Sequence, residues 1–562
     1  MKLFPSQRLR QAAKRHFGWR RLRPGQLDAM LPLLRGRDVM VVLPTGAGKS
    51  AIYQVPATLL RGPTLVISPL LALQHDQITS VNERGTGDLR AVRVNSSQTP
   101  AQRAKALEQV RTGEAKLLFI TPEQLASPER LAEVAALKPA LVAVDEAHCI
   151  SAWGYDFRPD YLALGHAIRG VGRPPVVALT ATASPPVRDD IAARLGLRSP
   201  KLVLGGLDRP NLFLEAVHCP TEEHRWKRLL MLIEQTPGSG IAYVPTRRAA
   251  EELAGRLAAA GVPAAHYHGG MAAAARRKRH EDFAADRTPV MVATSAFGMG
   301  IDKPNIRWVA HMALPDSPDS YLQEVGRAGR DGRPARAALL WRPEDIALQR
   351  YFAGGSPDRN ELLYLASGVR AGVHTRTELA KRTGMTARKV ASLCGLLEEV
   401  GAVAVGANGE LRLPPYAPKP PEAAKLAVAE AERHQVLQRS RTEMMRGLAE
   451  AAGCRVQALL AYFGEQMPRP CGHCDNCGRG TAGRKAPSRA RQAPRTRAAS
   501  HGTRSAGGAD GVPYPLHSTV THRQWGPGTV LGYDDDRMTV LFDEVGYKTL
   551  SVAVVRDNGL LT

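Results

Sequence analysis

The chain has 562 residues, which suggests about four domains of ordinary size. It carries 76 Lys and Arg against 53 Asp and Glu, a formal net charge of +23 that favours a polyanionic partner such as nucleic acid. Hydrophobic residues make up 44% of the chain, which excludes a wholly disordered protein. No apolar run reaches the ~18 residues of a membrane-spanning helix, and the cationic N-terminus lacks the apolar core of a secretion signal. Composition therefore predicts a cytoplasmic, multidomain protein associated with nucleic acid.

The first 355 residues alternate short apolar runs with helical stretches. Loops rich in Gly, Pro, Ser or Thr follow the runs, as they do where parallel sheets bind ligands. The expected strands cover residues 39–43, 64–67, 117–120, 141–144 and 176–179, then 240–244, 289–293 and 309–312. We therefore predict two consecutive α/β domains, over residues 1–205 and 206–355. One large doubly wound sheet is the alternative, although a chain of this length usually divides.

Residues 356–415 have the pattern of three helices followed by a hairpin. Thr386 is the expected N-cap of the third helix, and Asn408-Gly409 between apolar runs is typical of a hairpin turn. This order predicts a winged-helix-like insert with Arg388 and Lys389 on its recognition helix. A helical spacer with a β-ribbon is the alternative.

Composition changes again in the C-terminal part of the chain. Residues 422–478 read as a helical module that ends in closely spaced cysteines. Residues 479–512 contain no Leu, Ile, Phe or Trp and carry eight Lys or Arg against one Asp, which predicts a disordered basic linker. Short apolar runs separated by turns return within residues 513–562, so a small all-β module is expected there.

A glycine-rich segment, Pro44-Thr45-Gly46-Ala47-Gly48-Lys49-Ser50, lies between an apolar strand and a helical pattern. Its glycines allow backbone N–H groups to approach phosphate oxygens, Lys49 would reach the β- and γ-phosphates, and Ser50 would ligate Mg²⁺. Position 43 is Leu where the phosphate-loop formula has Gly, so a purely structural turn is the alternative. The candidate nucleotide-binding residues of this segment are Thr45, Gly46, Gly48, Lys49 and Ser50.

Acidic and basic groups elsewhere complete the pattern of a nucleotide hydrolase. Asp145 and Glu146 follow an expected strand, so Asp145 is assigned to the metal and Glu146 to the attacking water, although such a pair is often only a cap. In the second domain, Arg327 and Arg330 could stabilise the charge that develops during phosphoryl transfer, with surface salt bridges as the alternative. Two lobes that share one hydrolytic site would convert ATP turnover into lobe closure.

Together these residues resemble the superfamily 2 helicases, and more narrowly the RecQ family. Phe17-Gly18-Trp19 and Leu22-Arg23-Pro24-Gly25-Gln26 are similar to the RecQ adenine-recognition motif. The resemblance implies that Trp19 and Arg23 flank the base and that Gln26 reads its edge. Stacking and amide pairing of this kind are physically sound.

The segment from Cys149 to Tyr161 resembles the aromatic-rich loop by which RecQ helicases sense single-stranded DNA. Aromatic faces beside positive charge suit single strands, although an aromatic cluster is more often core. The run 178–183 resembles motif III, whose hydroxyls couple the ATP site to DNA. The residues that the resemblance assigns to DNA coupling are His148, Trp153, Phe157, Arg158, Thr180 and Thr182.

Four cysteines have the arrangement of the RecQ zinc site: Cys454, Cys471, Cys474 and Cys477. Four thiolates close a tetrahedral structural zinc site with no open position for catalysis. His473 could replace one cysteine. An iron–sulfur cluster is the rival, but the fourth cysteine of a ferredoxin run would fall at Thr481, which favours zinc.

The resemblance implies two tandem RecA-like domains and an ATP-dependent DNA helicase that moves 3′ to 5′ in DNA repair and recombination. It implies ATP, Mg²⁺ and Zn²⁺ as cofactors, and single-stranded and forked DNA as partners, in the bacterial cytoplasm at the nucleoid. An RNA helicase of the DEAH type and a DNA-bound scaffold are the rival functions.

Two features depart from the RecQ pattern. The expected winged helix precedes the zinc cysteines rather than following them, and no HRDC domain is visible, so the resemblance does not identify the element that splits a duplex. The tail instead resembles the Tudor/SH3-like barrel of UvrD-type helicases on a short match around residues 520–530, and a simple barrel turn would look alike. That likeness implies a protein partner, RNA polymerase or a repair factor, bound through residues 513–562.

Overall fold

The computed structural model describes residues 4–69, 71–84, 89–95, 98–151, 161, 163–298, 303–352, 355–405, 410–480, 513–516, 518–534 and 537–562. Residues 481–512 of the expected linker, the Asn408-Gly409 turn and the loop residues Trp153, Phe157 and Arg158 lie outside this description. Within these ranges, no helix combines the length and the apolarity that crossing a bilayer requires.

A seven-stranded parallel sheet forms the first lobe and contains all five expected strands. Its order is β3-β4-β2-β5-β6-β1-β7. The strands are β1 Val39–Val42, β2 Thr64–Ile67, β3 Ala91–Val94, β4 Leu117–Ile120, β5 Leu141–Val144, β6 Val176–Thr180 and β7 Lys201–Leu204. The two strands that were not expected, β3 and β7, are the edge strands, where charged Arg93 and Lys201 interrupt the apolar run.

Helices cover both faces of this sheet, and each face buries its own apolar cluster. They are α1 Pro5–Phe17, α2 Gln26–Leu34, α3 Ala51–Ala57, α4 Leu71–Arg84, α5 Pro100–Arg111, α6 Pro122–Leu125, α7 Pro128–Ala136, α8 Leu164–Gly170 and α9 Pro185–Leu195, with a 3-10 turn at Ala147–Ile150. Burial on both faces explains why the central strands read as continuous apolar runs.

A second parallel sheet of six strands forms the second lobe, in the order β10-β11-β9-β12-β13-β8. Its strands are β8 Leu212–His218, β9 Ser239–Tyr243, β10 Ala264–Tyr267, β11 Val290–Ala293, β12 Ile306–His311 and β13 Ala335–Trp341. Its helices are α10 Glu222–Gln235, α11 Arg247–Ala259, α12 Ala273–Ala284, α13 Pro318–Val325 and α14 Asp345–Phe352. The expectation of two separate α/β sheets is confirmed, and the single doubly wound sheet is wrong.

Three helices and a short ribbon follow the second lobe, in the expected order. They are α15 Arg359–Arg370, α16 Arg376–Thr383, α17 Ala387–Glu399, β14 Ala404–Val405 and β15 Leu411–Arg412. Thr386 caps α17, because its side chain accepts a hydrogen bond from the Lys389 backbone N–H at 3.3 Å. The 31-residue helix α18, Pro420–Glu450, packs its first turns on this insert through Ala423, Ala424 and Ala427.

The cysteine-containing module joins the edge of the second sheet. After α18 come α19, Arg455–Tyr462, and the short α20, Asp475–Gly478. Cys474 forms a parallel bridge with Leu214 of edge strand β8, and the Ala216 N–H donates to Asp475 at 3.4 Å. The cysteines are therefore fixed to the second lobe.

The C-terminal module (residues 513–562) is an antiparallel sheet in the order β16-β17-β18-β19. Its elements are β16 Thr519–His522, β17 Gly526–Asp534, β18 Arg537–Phe542, β19 Gly546–Ser551 and α21 Val552–Asp557. One face has its own core, whereas Leu531, Leu541 and Tyr547 belong to the large apolar cluster of the second lobe, α18 and α19. The module is thus packed onto the rest of the protein.

Candidate nucleotide site and zinc centre

The phosphate loop connects β1 to α3 at the carboxyl edge of the first sheet. Gly46 and Gly48 have φ values of +84° and +79°, a conformation that favours glycine. The Lys49 ammonium donates to the Leu43 backbone oxygen at 3.1 Å. Position 43 therefore contributes a carbonyl, while the Leu43 side chain is buried against Gly205. This explains how the loop accommodates Leu in place of Gly.

Asp145 and Glu146 stand at the end of β5 beside this loop. Glu146 has a left-handed backbone, φ +48° and ψ +47°, a strained conformation that is common at functional sites. Asp145 accepts hydrogen bonds from the Glu146 N–H at 3.1 Å and from Gln77 Nε2 at 3.3 Å. Burial, together with the neighbouring Glu146, raises the pKa of Asp145 to about 6. A divalent cation would relieve this crowding of negative charge.

Lys49 lies in the same electrostatic cluster. Burial lowers the pKa of Lys49, and the charges of Glu146 and Asp145 oppose that shift. The two carboxylates and the lysine therefore lie close enough to serve one nucleotide. Oxygen donors on Asp145 and Ser50 are those that Mg²⁺ prefers, so these two residues fit that ion.

A chain of polar contacts leads from Glu146 to the end of β6. His148 Nδ1 lies 3.4 Å from Glu146 Oε2 and 2.9 Å from Thr180 Oγ1. The Thr180 hydroxyl donates to the Thr182 carbonyl at 2.9 Å, which leaves its oxygen to accept from His148. His148 and Thr180 are completely or almost completely buried. The structure thus brings Glu146 together with His148, Thr180 and Thr182, three of the residues that the resemblance assigned to DNA coupling.

The second lobe places one of its two expected arginines against the phosphate loop. A methyl group at Gly46 would lie 3.5 Å from Cγ of Arg330, and one at Gly326 would lie 4.0 Å from Thr45 Oγ1. Arg330 also acts electrostatically on Lys49. Arg327 is instead buried in the second lobe beside Tyr243. The two arginines therefore lie in different surroundings.

Of the three residues expected at the adenine, Arg23 and Gln26 contact the phosphate loop and each other, whereas Trp19 packs on a neighbouring ring. Trp19 stacks on Phe17 with ring centroids 4.4 Å apart and an interplanar angle of 12°. The Arg23 guanidinium donates to the Gly46 carbonyl. Gln26 Nε2 donates to the Gly48 carbonyl at 2.8 Å, and its Oε1 accepts from the Arg23 N–H at 2.8 Å. In this arrangement Gln26 is engaged with the loop.

Two residues at the site are not among the predicted site residues. Gln77 of α4 links Asp145 to the Tyr53 hydroxyl, which donates to Gln77 Oε1 at 3.1 Å. Tyr161, the last residue of the aromatic segment, is fully buried and donates to the Asp145 carbonyl at 3.1 Å. Gln77 follows the end of β2, so the rule that parallel strands share a ligand-binding edge could have identified it.

The four expected cysteines lie together, with all four Sγ atoms within 4.8 Å of one another. Cys471 and Cys477 sulfurs are 3.8 Å apart, and the Cys471 N–H donates to Cys454 Sγ at 3.3 Å. Four sulfurs at this spacing fit one tetrahedral zinc ion.

Two polar contacts brace the cysteines. Arg455 pairs with Asp475 at 2.6 Å, and both side chains are buried. His473 turns its ring away from the sulfurs, because its nitrogens contact the Cys471 carbonyl at 2.7 Å and Asp208 of the second lobe at 2.9 Å. His473 is therefore not needed as a ligand.

Family models match three parts of the chain. The DEAD/DEAH box helicase model matches residues 23–191, the helicase conserved C-terminal domain model matches 224–332, and the RecQ zinc-binding model matches 422–478. The crystal structure of the DUF1998 helicase MrfA bound to DNA has a similar fold, with a TM-score of 0.50 at 17% identity over 75% of this chain and 61% of that one. Fold and site thus define a two-lobed superfamily 2 helicase.

Curated relatives narrow this class. The probable ATP-dependent DNA helicase RecS of Bacillus subtilis is 34% identical over 475 residues, which are 84% of this chain and 92% of RecS. The ATP-dependent DNA helicase RecQ of Haemophilus influenzae is 36% identical over 82% of this chain but only 62% of its own length. The chain belongs to the RecQ family of ATP-dependent DNA helicases.

Proposed function

We propose that this protein is a DNA-stimulated ATPase that moves 3′ to 5′ along single-stranded DNA and unwinds duplexes during repair and recombination. The observation that carries the proposal is the placement of Arg330 of the second lobe against the phosphate loop of the first. Bound ATP would draw the two lobes together, and the lobes would separate after hydrolysis. Cycles of closure of this kind move the lobes along a strand. The polarity and the biological setting rest on the family.

Each polar group at the cleft has a distinct task in this proposal. Lys49 neutralises the β- and γ-phosphates, and Ser50 and Asp145 would hold Mg²⁺, which supplies further neutralising charge when bound. Glu146 orients the attacking water. Arg330 stabilises negative charge that develops on the transferred phosphoryl group, and Arg327, buried beside Tyr243, is proposed to support it.

The chain of polar contacts from Glu146 through His148 to Thr180 supports a route from DNA to the water-orienting carboxylate. We propose that Trp153, Phe157 and Arg158 bind single-stranded DNA and that Tyr161 transmits their position to Asp145. Stacking on aromatic residues suits a motor that must grip every base sequence.

The zinc module stabilises the fold in this proposal, since it is attached to strand β8 and its four sulfurs leave no open position. Arg388 and Lys389 on α17 are proposed to contact duplex DNA ahead of the lobes, although Lys389 also pairs with Glu361. Trp19 and Arg23 are proposed to flank adenine, with Gln26 exchanging its contact to Gly48 for the base edge. The protein would act at the nucleoid, and a protein partner for residues 513–562 stays a prediction.

ATP hydrolysis should be measured with single-stranded DNA, with single-stranded RNA of the same sequence, and without nucleic acid. Lys49→Ala serves as the matched control, because it removes phosphate neutralisation and leaves the rest of the surface unchanged. Stimulation by DNA alone, lost in Lys49→Ala, supports the proposal. Stimulation by RNA but not DNA would favour the RNA helicase, and an inactive protein that still binds DNA would favour the scaffold.

A further inference from the structure

Tyr547 of the C-terminal module lies at the junction of both lobes. It stands on strand β19, is 2% exposed, and shares a hydrogen bond of 3.2 Å with Ser184 Oγ of the first lobe. Its ring centroid is 5.1 Å from that of Tyr462, the last residue of α19. A tyrosine of the C-terminal module is thus enclosed by the helicase core.

Ser184 connects Tyr547 to the part of the ATP site that the first lobe carries. It follows Thr182 by two residues and is the N-cap of α9, yet its hydroxyl makes no capping bond to that helix. The fully buried hydroxyl is paired with Tyr547 instead. The side chain of an N-cap serine normally accepts a hydrogen bond from a backbone N–H of the first helical turn. Here it contacts Tyr547 instead and so ties the end of the motif III segment to the C-terminal module.

Tyr462 connects Tyr547 to the part of the ATP site that the second lobe carries. Its hydroxyl donates to Asp319 Oδ2 at 2.5 Å, and both residues are buried. Asp319 lies in the first turn of α13, the helix that leads directly into Gly326 and Arg330. Burial raises the pKa of Asp319, while Arg441, Tyr462 and His148 oppose the shift. His148 of the first lobe is therefore also close to Asp319.

The surface that receives the module is shaped for close approach. A methyl group added at Gly532 would lie 2.7 Å from the Ala461 carbonyl, and one at Gly546, where φ is +69°, would collide with Ser440 of α18. Thr549 Oγ1 lies 3.7 Å from the sulfur of Met444 on the same helix. Glycine at both contact points indicates a specific interface rather than loose contact of a tethered domain.

We propose that the C-terminal module is an intramolecular brace that holds the two lobes in the closed arrangement, with Tyr547 as a positioning residue for the ATP cleft. This inference rests on the proposed ATPase function. Tyr547 meets Ser184 and Tyr462 at once only when the lobes are apposed as they are here. A contact made in one arrangement of two lobes shifts the equilibrium toward that arrangement. Nucleotide binding across a cleft that is already closed is then tighter.

Two conservative substitutions test the brace. Tyr547→Phe and Ser184→Ala each remove the shared hydrogen bond and retain the ring and the helix. Each should raise the KM for ATP by about threefold to tenfold, the factor that one buried hydrogen bond contributes to an equilibrium. The kcat with saturating DNA should change little, because excess ATP drives closure. The double variant should match either single one, since both changes remove the same bond.

Tyr533→Phe is the matched control. It deletes a tyrosine hydroxyl that bonds the Tyr514 carbonyl at 2.6 Å within the module, away from the lobes. Its KM should stay at the wild-type value, and zinc content and circular dichroism should be the same in all variants. An unchanged KM in both single variants, or additive effects in the double variant, would overturn the brace. A wild-type protein without DNA-stimulated ATPase would instead overturn the proposed function.

Discussion

Glu146 occupies a backbone conformation that few residues other than glycine adopt, at the point where β5 ends. The Glu146 carboxylate lies 3.4 Å from His148 Nδ1, whereas Asp145 accepts a hydrogen bond from Gln77. The two adjacent acidic residues thus have different neighbours. The sequence identifies the pair, but the turn that separates them is visible only in the fold.

Glu146→Gln should bind ATP and remain associated with DNA while hydrolysis falls by at least about a hundredfold, because the amide cannot accept a proton from water. Single-turnover hydrolysis and filter binding of labelled ATP separate the two steps. Normal hydrolysis in this variant would mean that another group orients the water.

Asp38 provides a test at a residue far from the cleft. It is 4% exposed and accepts hydrogen bonds from Arg173 Nη2 at 2.5 Å, the Val176 N–H at 2.9 Å and the Arg198 N–H at 2.7 Å. Burial raises the pKa of Asp38, but these donors outweigh it and the net shift is downward. The carboxylate thus fastens the starts of β1 and β6 and the segment that precedes β7.

Asp38→Asn should lower the free energy of unfolding of the first lobe by about 2–3 kcal/mol at neutral pH, since the amide removes the negative charge that pairs with Arg173. A carboxyl group whose pKa is lower in the folded than in the unfolded protein stabilises the fold at pH values above its unfolded pKa of about 3.9. This stabilisation is lost as the pH falls through the folded pKa. The difference from wild type in urea unfolding should therefore shrink below about pH 4. A difference that is equal at pH 3 and pH 7 would contradict this assignment.

At the scale of elements, the sequence predicts the zinc ligands but not where their module attaches to the second lobe. Cysteine spacing is a local signal, so the four ligands could be predicted without the fold, as could the central strands of the first sheet and the cap at Thr386. The attachment of Cys474 to β8 could not, because it joins residues 260 apart in the chain through backbone contacts that leave no side-chain pattern. Edge strands such as β7 were missed for a related reason, since exposure permits charged residues there.

Purified protein should contain about one zinc per chain and show no visible absorption band, as expected for a d¹⁰ ion bound by thiolates. Cys474→Ser should reduce zinc content and thermal stability together, because metal binding contributes directly to folding. Elemental analysis and thermal unfolding of the two proteins check this. Iron in the preparation would assign the cysteines to a cluster instead.

Trp153→Ala should remove most of the stimulation of ATPase by single-stranded DNA while basal hydrolysis persists. DNA binding should weaken less, because phosphate contacts supply most of the affinity and a stacked base contributes only about 1–3 kcal/mol. Titration of ATPase with DNA separates the effects. A change in the half-saturating DNA concentration alone would make the loop a grip rather than a sensor, and loss of basal activity would make Trp153 a core residue.

At the scale of the whole molecule, a buried polar junction connects the lobes, α18, α19 and the C-terminal module. Arg441 is 1% exposed at its centre, where Asp319, Tyr462 and Tyr547 surround it. The tail resembles a partner-binding barrel by sequence, yet one face of it is occupied within the chain. Local periodicity predicts the strands of such a module but not its docking site, which depends on the complementarity of distant surfaces.

The central claim is that this cleft drives strand separation of DNA with a defined polarity. Strand displacement should be measured on one duplex carrying either a 3′ or a 5′ single-stranded tail, with Lys49→Ala as the control. The account predicts ATP-dependent separation of the 3′-tailed DNA, little separation of the 5′-tailed DNA, and none with the variant. Separation of neither DNA substrate, or separation from the 5′ tail, would contradict it.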